Sequence, residues 1–421
     1  MHVRLPEYDA RMGDPPAARR DQRTRVRRAS PPAPPPHLEP LLACVIPDGD
    51  AARGALTASL RLVDDWTRLR EAALEQGLAP LLYRRLADLG DGPVVPAAFM
   101  VELRETYRAA DQRASRLTGL LLRTLGALSG EGIVAVPYKG PALAQDVYGD
   151  VALRQFSDLD ILVAARDALR ARDILLANGF ERVQPRAEVL GDVLLRNEGE
   201  LGLRRGVDGP LVELHWRIGW RLARVCIPAE EVIVQARTIR VLDREVLAPS
   251  IGDQVLVLCV HAAHHAWDKL EMMAAVVAAA ARVGAHGWPA LLDRSRGFRC
   301  QRRVLVGLVL SHETAGLTLP LEVRLRAAAD PAVRRLVDEV RDVWRGGAQP
   351  HGPRERLRRI TWLARTEDSV PAAVRHLATR ALTPGPEDWD SLRLPPRLYG
   401  LYYLWRPVRL VSKFARLRRN G

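Results

Sequence analysis

The chain predicts an α+β protein, a small mixed β-sheet core between N- and C-terminal helical regions, and three observations carry that prediction. Apolar residues recur at three- and four-residue spacing from about residue 41 to 128 and again from 251 onward, the period of helices that bury one face. Between those stretches the apolar runs become short, β-branched and bounded by Gly, Pro and Asp, as strands and turns require. A length of 421 residues is enough for a large core and admits two or three domains.

In chain order, residues 1–38 are rich in Pro and Arg and poor in large apolar groups, so burial cannot offset their ordering entropy. They are expected to form a disordered basic leader. A helical region, 39–128, follows: "LTASLRLVDDWTRLREAALEQGLAPLLYRRLADLG" ends at Gly90, and a second helix starts at Phe99 and stops at the glycines 130 and 132. The core, 129–250, opens with the strands "IVAVPYKG" (133–140) and "FSDLDILV" (156–163), then the amphipathic helix "ARDALRARDILLANGF" (165–180). The segments "DVLLRNEGELGLRRG" and "LVELHWRI" (211–218) are joined by Val207-Asp208-Gly209-Pro210, whose Asp-Gly step favours a tight turn. Residues 251–390 read as helical again, starting with "DQVLVLCVHAAHHAWDKLEMMAAVVAAAARV", and 391–421 form a basic, aromatic tail.

Composition excludes several classes. Net charge is +13, but nearly all of it is Arg, with lysine only at Lys139, Lys269 and Lys413, so charge alone gives no strong nucleic-acid signal. Cys44, Cys226, Cys259 and Cys300 lie far apart and suit neither a disulfide framework nor a zinc knuckle. No apolar run has signal-peptide or membrane-spanning length, and a cytoplasmic location is expected. The tail from Ser391 to Gly421 carries eight basic residues and no acidic one, interleaved with Tyr402, Tyr403, Trp405 and Phe414. That pattern suits weak contact with an anionic membrane, or else a basic helix docked on the protein or mobile in solvent.

The chemistry concentrates around "YKGPALAQDVYGDVALRQFSDLDILV". Residues two apart on a strand share a face, so Asp158 and Asp160 project together while Leu159 and Ile161 turn to the core. Paired carboxylates repel and are costly to desolvate unless a cation joins them, and a hard divalent ion such as Mg²⁺ does so. Glu213, in "LVELHW", falls on a strand able to pair with the Asp-x-Asp strand, completing the acidic set of a two-metal phosphoryl-transfer site. Upstream, Lys139-Gly140 marks a strand-to-helix turn whose N–H groups can receive phosphate, and Arg154 adds positive charge for a triphosphate. His215 falls on the side of Glu213, to touch substrate or hold that carboxylate, and Trp216 on the core side. No serine-hydrolase or P-loop motif is present.

These residues resemble the DNA polymerase beta-like nucleotidyltransferase superfamily. With "ELHW" and "HAAHHAW" they resemble, more narrowly, a bacterial family of uncharacterised nucleotidyltransferases, over roughly residues 41–380. The resemblance implies Mg²⁺- or Mn²⁺-dependent transfer of an NMP from an NTP, ATP being the first candidate, to an acceptor that is a small molecule, peptide or protein, with release of pyrophosphate. It implies Asp158, Asp160 and Glu213 as catalytic and metal-binding residues, and Lys139, Gly140, Arg154 and Ser157 as the nucleotide-binding set. Pro141 stands where the superfamily's turn carries a serine, and Glu213 where Asp is commoner. The alternative reading is a non-catalytic nucleotide-binding or membrane-peripheral scaffold on the same fold. His261, His264 and His265 have a pair at zinc-helix spacing, but Ala262 replaces the Glu base of that motif. The resemblance instead implies that this helix packs on the sheet, with His261 and Trp267 serving architecture or lining the acceptor cleft.

Overall fold

The computed structural model describes residues 35–90, 95–183, 199–219, 225–346, 353–384, 386–392 and 394–419, with residues 346, 353–356, 386, 389–390, 396 and 413–419 described as backbone only. Most of the expected leader, and the first part of the strand expected from residue 192, lie outside the described residues.

The alternation read from the sequence builds a five-stranded mixed sheet. Its strands are β1 (Ala135–Pro137), β2 (Asp158–Val163), β3 (Glu181–Arg182), β4 (Glu200–Arg204) and β5 (Leu211–His215), in the order β1-β2-β5-β4-β3. Only β2 and β5 run parallel; the other pairs are antiparallel. The β4–β5 turn is where Asp208-Gly209 predicts it. A Cβ on Gly209 would stand 1.9 Å from the Arg205 carbonyl oxygen, so no other residue fits there without moving the backbone.

Helices α1 (Glu39–Val45), α2 (Asp50–Leu60), α3 (Trp66–Glu75), α4 (Ala79–Ala87) and α5 (Ala97–Gly130) precede the sheet. The 34-residue α5, about 50 Å long at 1.5 Å per residue, links two cores. Its first half contributes Phe99 and Leu103 to a core of helices. Its second half contributes Leu117, Leu121 and Leu128 to the layer covering Leu159, Ile161, Val212 and Leu214 of the sheet. Two further helices lie between the strands, α6 (Gly140–Tyr148) and α7 (Ala168–Ala177), the latter on that same sheet face with Ala171 and Leu175.

After the sheet come α8 (Ala229–Ile233), α9 (Ile251–His264), α10 (Leu270–Ala280), α11 (Gly287–Gly297), α12 (Gln301–Ala315), α13 (Leu321–Ala329), α14 (Pro331–Gly346), α15 (Pro353–Arg365), α16 (Val370–Leu382), α17 (Pro386–Ser391) and α18 (Tyr402–Arg419). The helical regions at the two ends share one core: Leu41, Leu69 and Leu82 are buried with Met273, Leu308, Val337 and Trp362. The long helical pattern after Ile251 breaks at Ala266 and Trp267, both at positive φ, and Trp267 N–H returns to the Ala262 carbonyl at 2.9 Å. Two consecutive left-handed residues cannot continue a right-handed helix, so α9 and α10 are separate elements. Two short pairs also lie beyond the sheet, β6 (Arg217–Ile218) with β7 (Ile227–Pro228) and the hairpin β8 (Arg237–Val241) with β9 (Arg244–Ala248).

Candidate active site

The parallel register of β2 and β5 sets Asp160 beside Glu213 and Leu162 beside His215. Strand alternation sends Leu159, Ile161, Val212, Leu214 and, past the strand end, Trp216 into the helix-covered core. Asp158, Asp160, Glu213 and His215 therefore share the opposite face. There a cavity of about 260 Å³ separates the sheet from the C-terminal helices. Its sheet wall includes Tyr138, Lys139, Asp158, Glu200, Glu213 and His215, and its helical wall includes His261, His264, Arg303, His376 and Arg380.

Asp160 is the hub, with only 2% of its surface exposed. Its Oδ1 lies 2.7 Å from Lys139 Nζ and 3.2 Å from His215 Nε2, and it accepts from the Tyr138 hydroxyl at 3.3 Å. His215 Nε2 also stands 3.4 Å from Glu213 Oε2, and its Nδ1 3.3 Å from Glu200 Oε2. Burial works against the Asp160 carboxylate, yet Lys139 and His215 outweigh it and hold its pKa well below the usual range. Burial likewise opposes charge on His215, but Asp160 and Glu213 prevail and raise its pKa to about 9. The Asp158 pKa is raised, first by burial and then by the neighbouring Asp160 charge. The site thus gathers more carboxylate charge than its own cations match.

One ligand atom each from Asp160, Glu213 and His215 falls within 4.8 Å of the others. Two hard oxygens and an imidazole suit a divalent cation. His215 Nε2 lies against both carboxylates and would have to give up its proton before it could join them in holding a cation.

Of the other residues singled out in the sequence, Gly140 opens α6 at φ +60, a conformation glycine adopts without strain. Lys139 lines the cavity, with its ammonium directed at Asp160. Ser157 is exposed just before β2. Arg154 is not among the cavity-lining residues: it is buried, with its guanidinium 3.9 Å from Glu271. His261 lines the cavity, and Trp267 is fully buried in the core.

Sequence reasoning missed Glu200, Arg303, His376 and Arg380. Glu200 had a signal, since it lies opposite His215 across the β4–β5 hairpin. The other three come from helices remote in sequence. Arg303 Nη2 donates to Glu367 Oε1 at 2.9 Å, and His376 Nδ1 lies 3.1 Å from the same oxygen. His376 Nε2 is buried with no hydrogen-bond partner among the described residues, in a side chain that lines the cavity. A second, larger cavity of about 660 Å³, lined by Arg68, Glu75, Lys269, Trp344 and Trp362 among others, shares His265 with the first.

A family model described as an uncharacterised nucleotidyltransferase matches residues 63–316, more than half of the chain, including every carboxylate of the cluster. The chain belongs to this nucleotidyltransferase family. The family match ends at Gly316, the left-handed cap of α12, so α13–α18 and with them His376 and Arg380 lie beyond it. Among solved structures, that of the antibiotic-resistance factor ANT(2'')-Ia aligns at 14% identity and a TM-score of 0.33. It covers 44% of this nucleotidyltransferase and 92% of that chain, a similarity too slight to argue from. No curated protein matches the chain.

Proposed function

We propose that this nucleotidyltransferase moves an NMP from an NTP, ATP being the first candidate, to the hydroxyl of an acceptor, with a divalent cation, Mg²⁺ or Mn²⁺, held by Asp158, Asp160 and Glu213. The acceptor oxygen forms a bond to the α-phosphorus, the bond between that phosphorus and the β-phosphate bridging oxygen breaks, and pyrophosphate leaves. Glu213, the more exposed of the two paired carboxylates, stands where it can take the acceptor's proton. The cation would neutralise charge on the phosphates and lower the pKa of the attacking hydroxyl.

The observation that carries this reading is the register that sets the buried Asp160 beside Glu213, with Glu213 and Asp158 lining the cavity. Across the cavity, Arg380 is suited to the outgoing phosphates, a role expected from the sequence for Arg154, while Arg303 and His376 are held by Glu367. Lys139 and Gly140 stay in the proposed nucleotide-binding set; a cation held at Asp160 would leave the Lys139 ammonium for a phosphate. Ser157 stays in that set as an exposed residue at the mouth of β2. The larger cavity, which shares the lining residue His265 with the first, is the proposed room for the acceptor.

Calorimetric titration with each of the four NTPs, with and without Mg²⁺, tests the reading. Mg²⁺-dependent binding that disappears in Asp158→Asn/Asp160→Asn supports it. Binding of no NTP, or equal binding by the double variant, overturns it, and metal-independent binding assigns a non-catalytic nucleotide-binding protein instead.

A further inference from the structure

α18 is turned the wrong way round for a helix with solvent as its only outer neighbour. Its inner side is polar and tightly held. Arg406 Nη1 lies 2.5 Å from Asp388 Oδ2, Arg409 pairs with both Asp388 and Glu387, and Asp388 is fully buried beneath them. Tyr402 donates to the Leu392 carbonyl at 2.7 Å, and Trp405 Nε1 donates to Ser391 Oγ at 2.9 Å. The side facing out is apolar: Leu404, Val408 and Val411, at i, i+4 and i+7, are 72%, 58% and 70% exposed. Isolated exposed apolar residues are ordinary, but a continuous helical stripe of them, opposite a side fixed by ion pairs, marks a surface that something covers.

We infer that this stripe docks on an anionic phospholipid surface. Charge selects that occupant. Between Ser391 and Gly421 the sequence holds eight arginines and lysines and no aspartate or glutamate; Arg406 and Arg409 are taken up by Asp388 and Glu387, and four others, Lys413, Arg416, Arg418 and Arg419, follow Val411 in the last two helical turns. An apolar stripe flanked by cations is the pattern of a helix lying in a membrane interface. A second copy would instead bring the same carboxylate-free segment against its own like, at a cost in repulsion. A nucleic acid would use the cations but gain nothing from the valines and leucine. Among the described residues no helix is long and apolar enough to cross a membrane, so the contact is peripheral. The packed neighbour α16 carries His376 and Arg380 of the cavity, so docking at α18 would bring the cleft near a lipid surface. This inference is independent of the catalytic reading.

Flotation of the full chain with vesicles tests it, comparing pure phosphatidylcholine with phosphatidylcholine containing phosphatidylglycerol. The account expects binding only to the anionic vesicles, weakened by salt, and at least about tenfold weaker in Leu404→Gln/Val408→Gln/Val411→Gln. Thermal melting establishes that the triple variant is folded; if it is not, Leu404→Gln alone replaces it, with a smaller loss expected. No flotation of the folded wild type, or equal flotation of a folded variant, overturns the inference. So does a concentration-dependent dimer in sedimentation that the variant abolishes, which would give the stripe to a second copy.

Discussion

Two buried charge clusters face each other across the same cavity and differ in one respect, their balance. On the helical side Glu367 answers Arg303 and contacts His376, with Thr366 Oγ1 accepting a hydrogen bond from Arg303 Nε at 3.2 Å. There one full negative charge meets one full positive charge, so the cluster calls for no added ion, even though Glu367 Oε2 and His376 Nε2 have no hydrogen-bond partner among the described residues. On the sheet side Asp158, Asp160, Glu213 and Glu200 converge on Lys139 and His215, an excess of carboxylate that the fold tolerates but does not neutralise. A balanced buried cluster is architecture, whereas an unbalanced one is a place where a missing charge belongs.

The contrast is open to direct attack. The largest effect is expected on the balanced side: Glu367→Ala leaves the Arg303 guanidinium buried and unpaired, and should cost about 3–5 kcal/mol in denaturant unfolding. A loss under about 1 kcal/mol would mean that the cluster is not the fixed point described. On the unbalanced side the sign reverses. Asp158 has a raised pKa, so its ionised form opposes folding at neutral pH, and Asp158→Asn should stabilise the metal-free protein by up to about 1 kcal/mol. The same variant should weaken Mg²⁺-dependent NTP binding at least about tenfold. Stabilisation paired with lost binding is the signature of a functional carboxylate, and destabilisation would break the comparison. At the turn that borders the cluster, Gly140→Ala should cost about 1 kcal/mol, because the left-handed backbone resists a Cβ. The cost should come from backbone conformation alone, since that Cβ would rest 3.5 Å from the nearest neighbouring atom, an ordinary contact.

A further effect concerns pH and the two histidines on the boundary between the clusters. Burial first, then neighbouring positive charge, lowers the pKa of His264 to about 3 and that of His265 to about 4. Both are neutral in the fold, so their contribution is fully present above the unfolded value near 6.5 and is lost as pH falls through about 4 and then 3. His264→Gln/His265→Gln should accordingly lose stability less steeply than the wild type between pH 6.5 and 4, as melting temperatures across that range would reveal.

How far the sequence reveals this arrangement depends on how local each signal is. Asp158 and Asp160 announce themselves because alternation within one strand is visible in six letters, and Gly140 because a strand ends and a helix begins around it. Glu213 follows once β2 and β5 are paired, and their parallel register sets it beside Asp160. Arg154, four residues before Asp158, is buried with its guanidinium 3.9 Å from Glu271 on α10, a neighbour that nearness in sequence does not reveal. Arg303, His376 and Arg380 reach the cavity through helix packing that no short-range pattern encodes. The β8–β9 hairpin was equally hidden, since it turns on Leu242-Asp243, with Leu242 at φ +54, and not on an Asn-Gly or Asp-Gly step. The shared core of the N- and C-terminal helices was also illegible, because periodicity shows which face is apolar but not what it meets.

The central claim is that the excess carboxylates form a cation site, and Mn²⁺ binding followed by electron paramagnetic resonance tests it most directly. The account predicts that the wild type takes up Mn²⁺, more tightly when an NTP is present, and that Asp160→Asn/Glu213→Gln does not, while Arg380→Gln retains the metal and loses only the tightening by NTP. Equal Mn²⁺ uptake by wild type and the Asp160/Glu213 variant, or none by either, would contradict it.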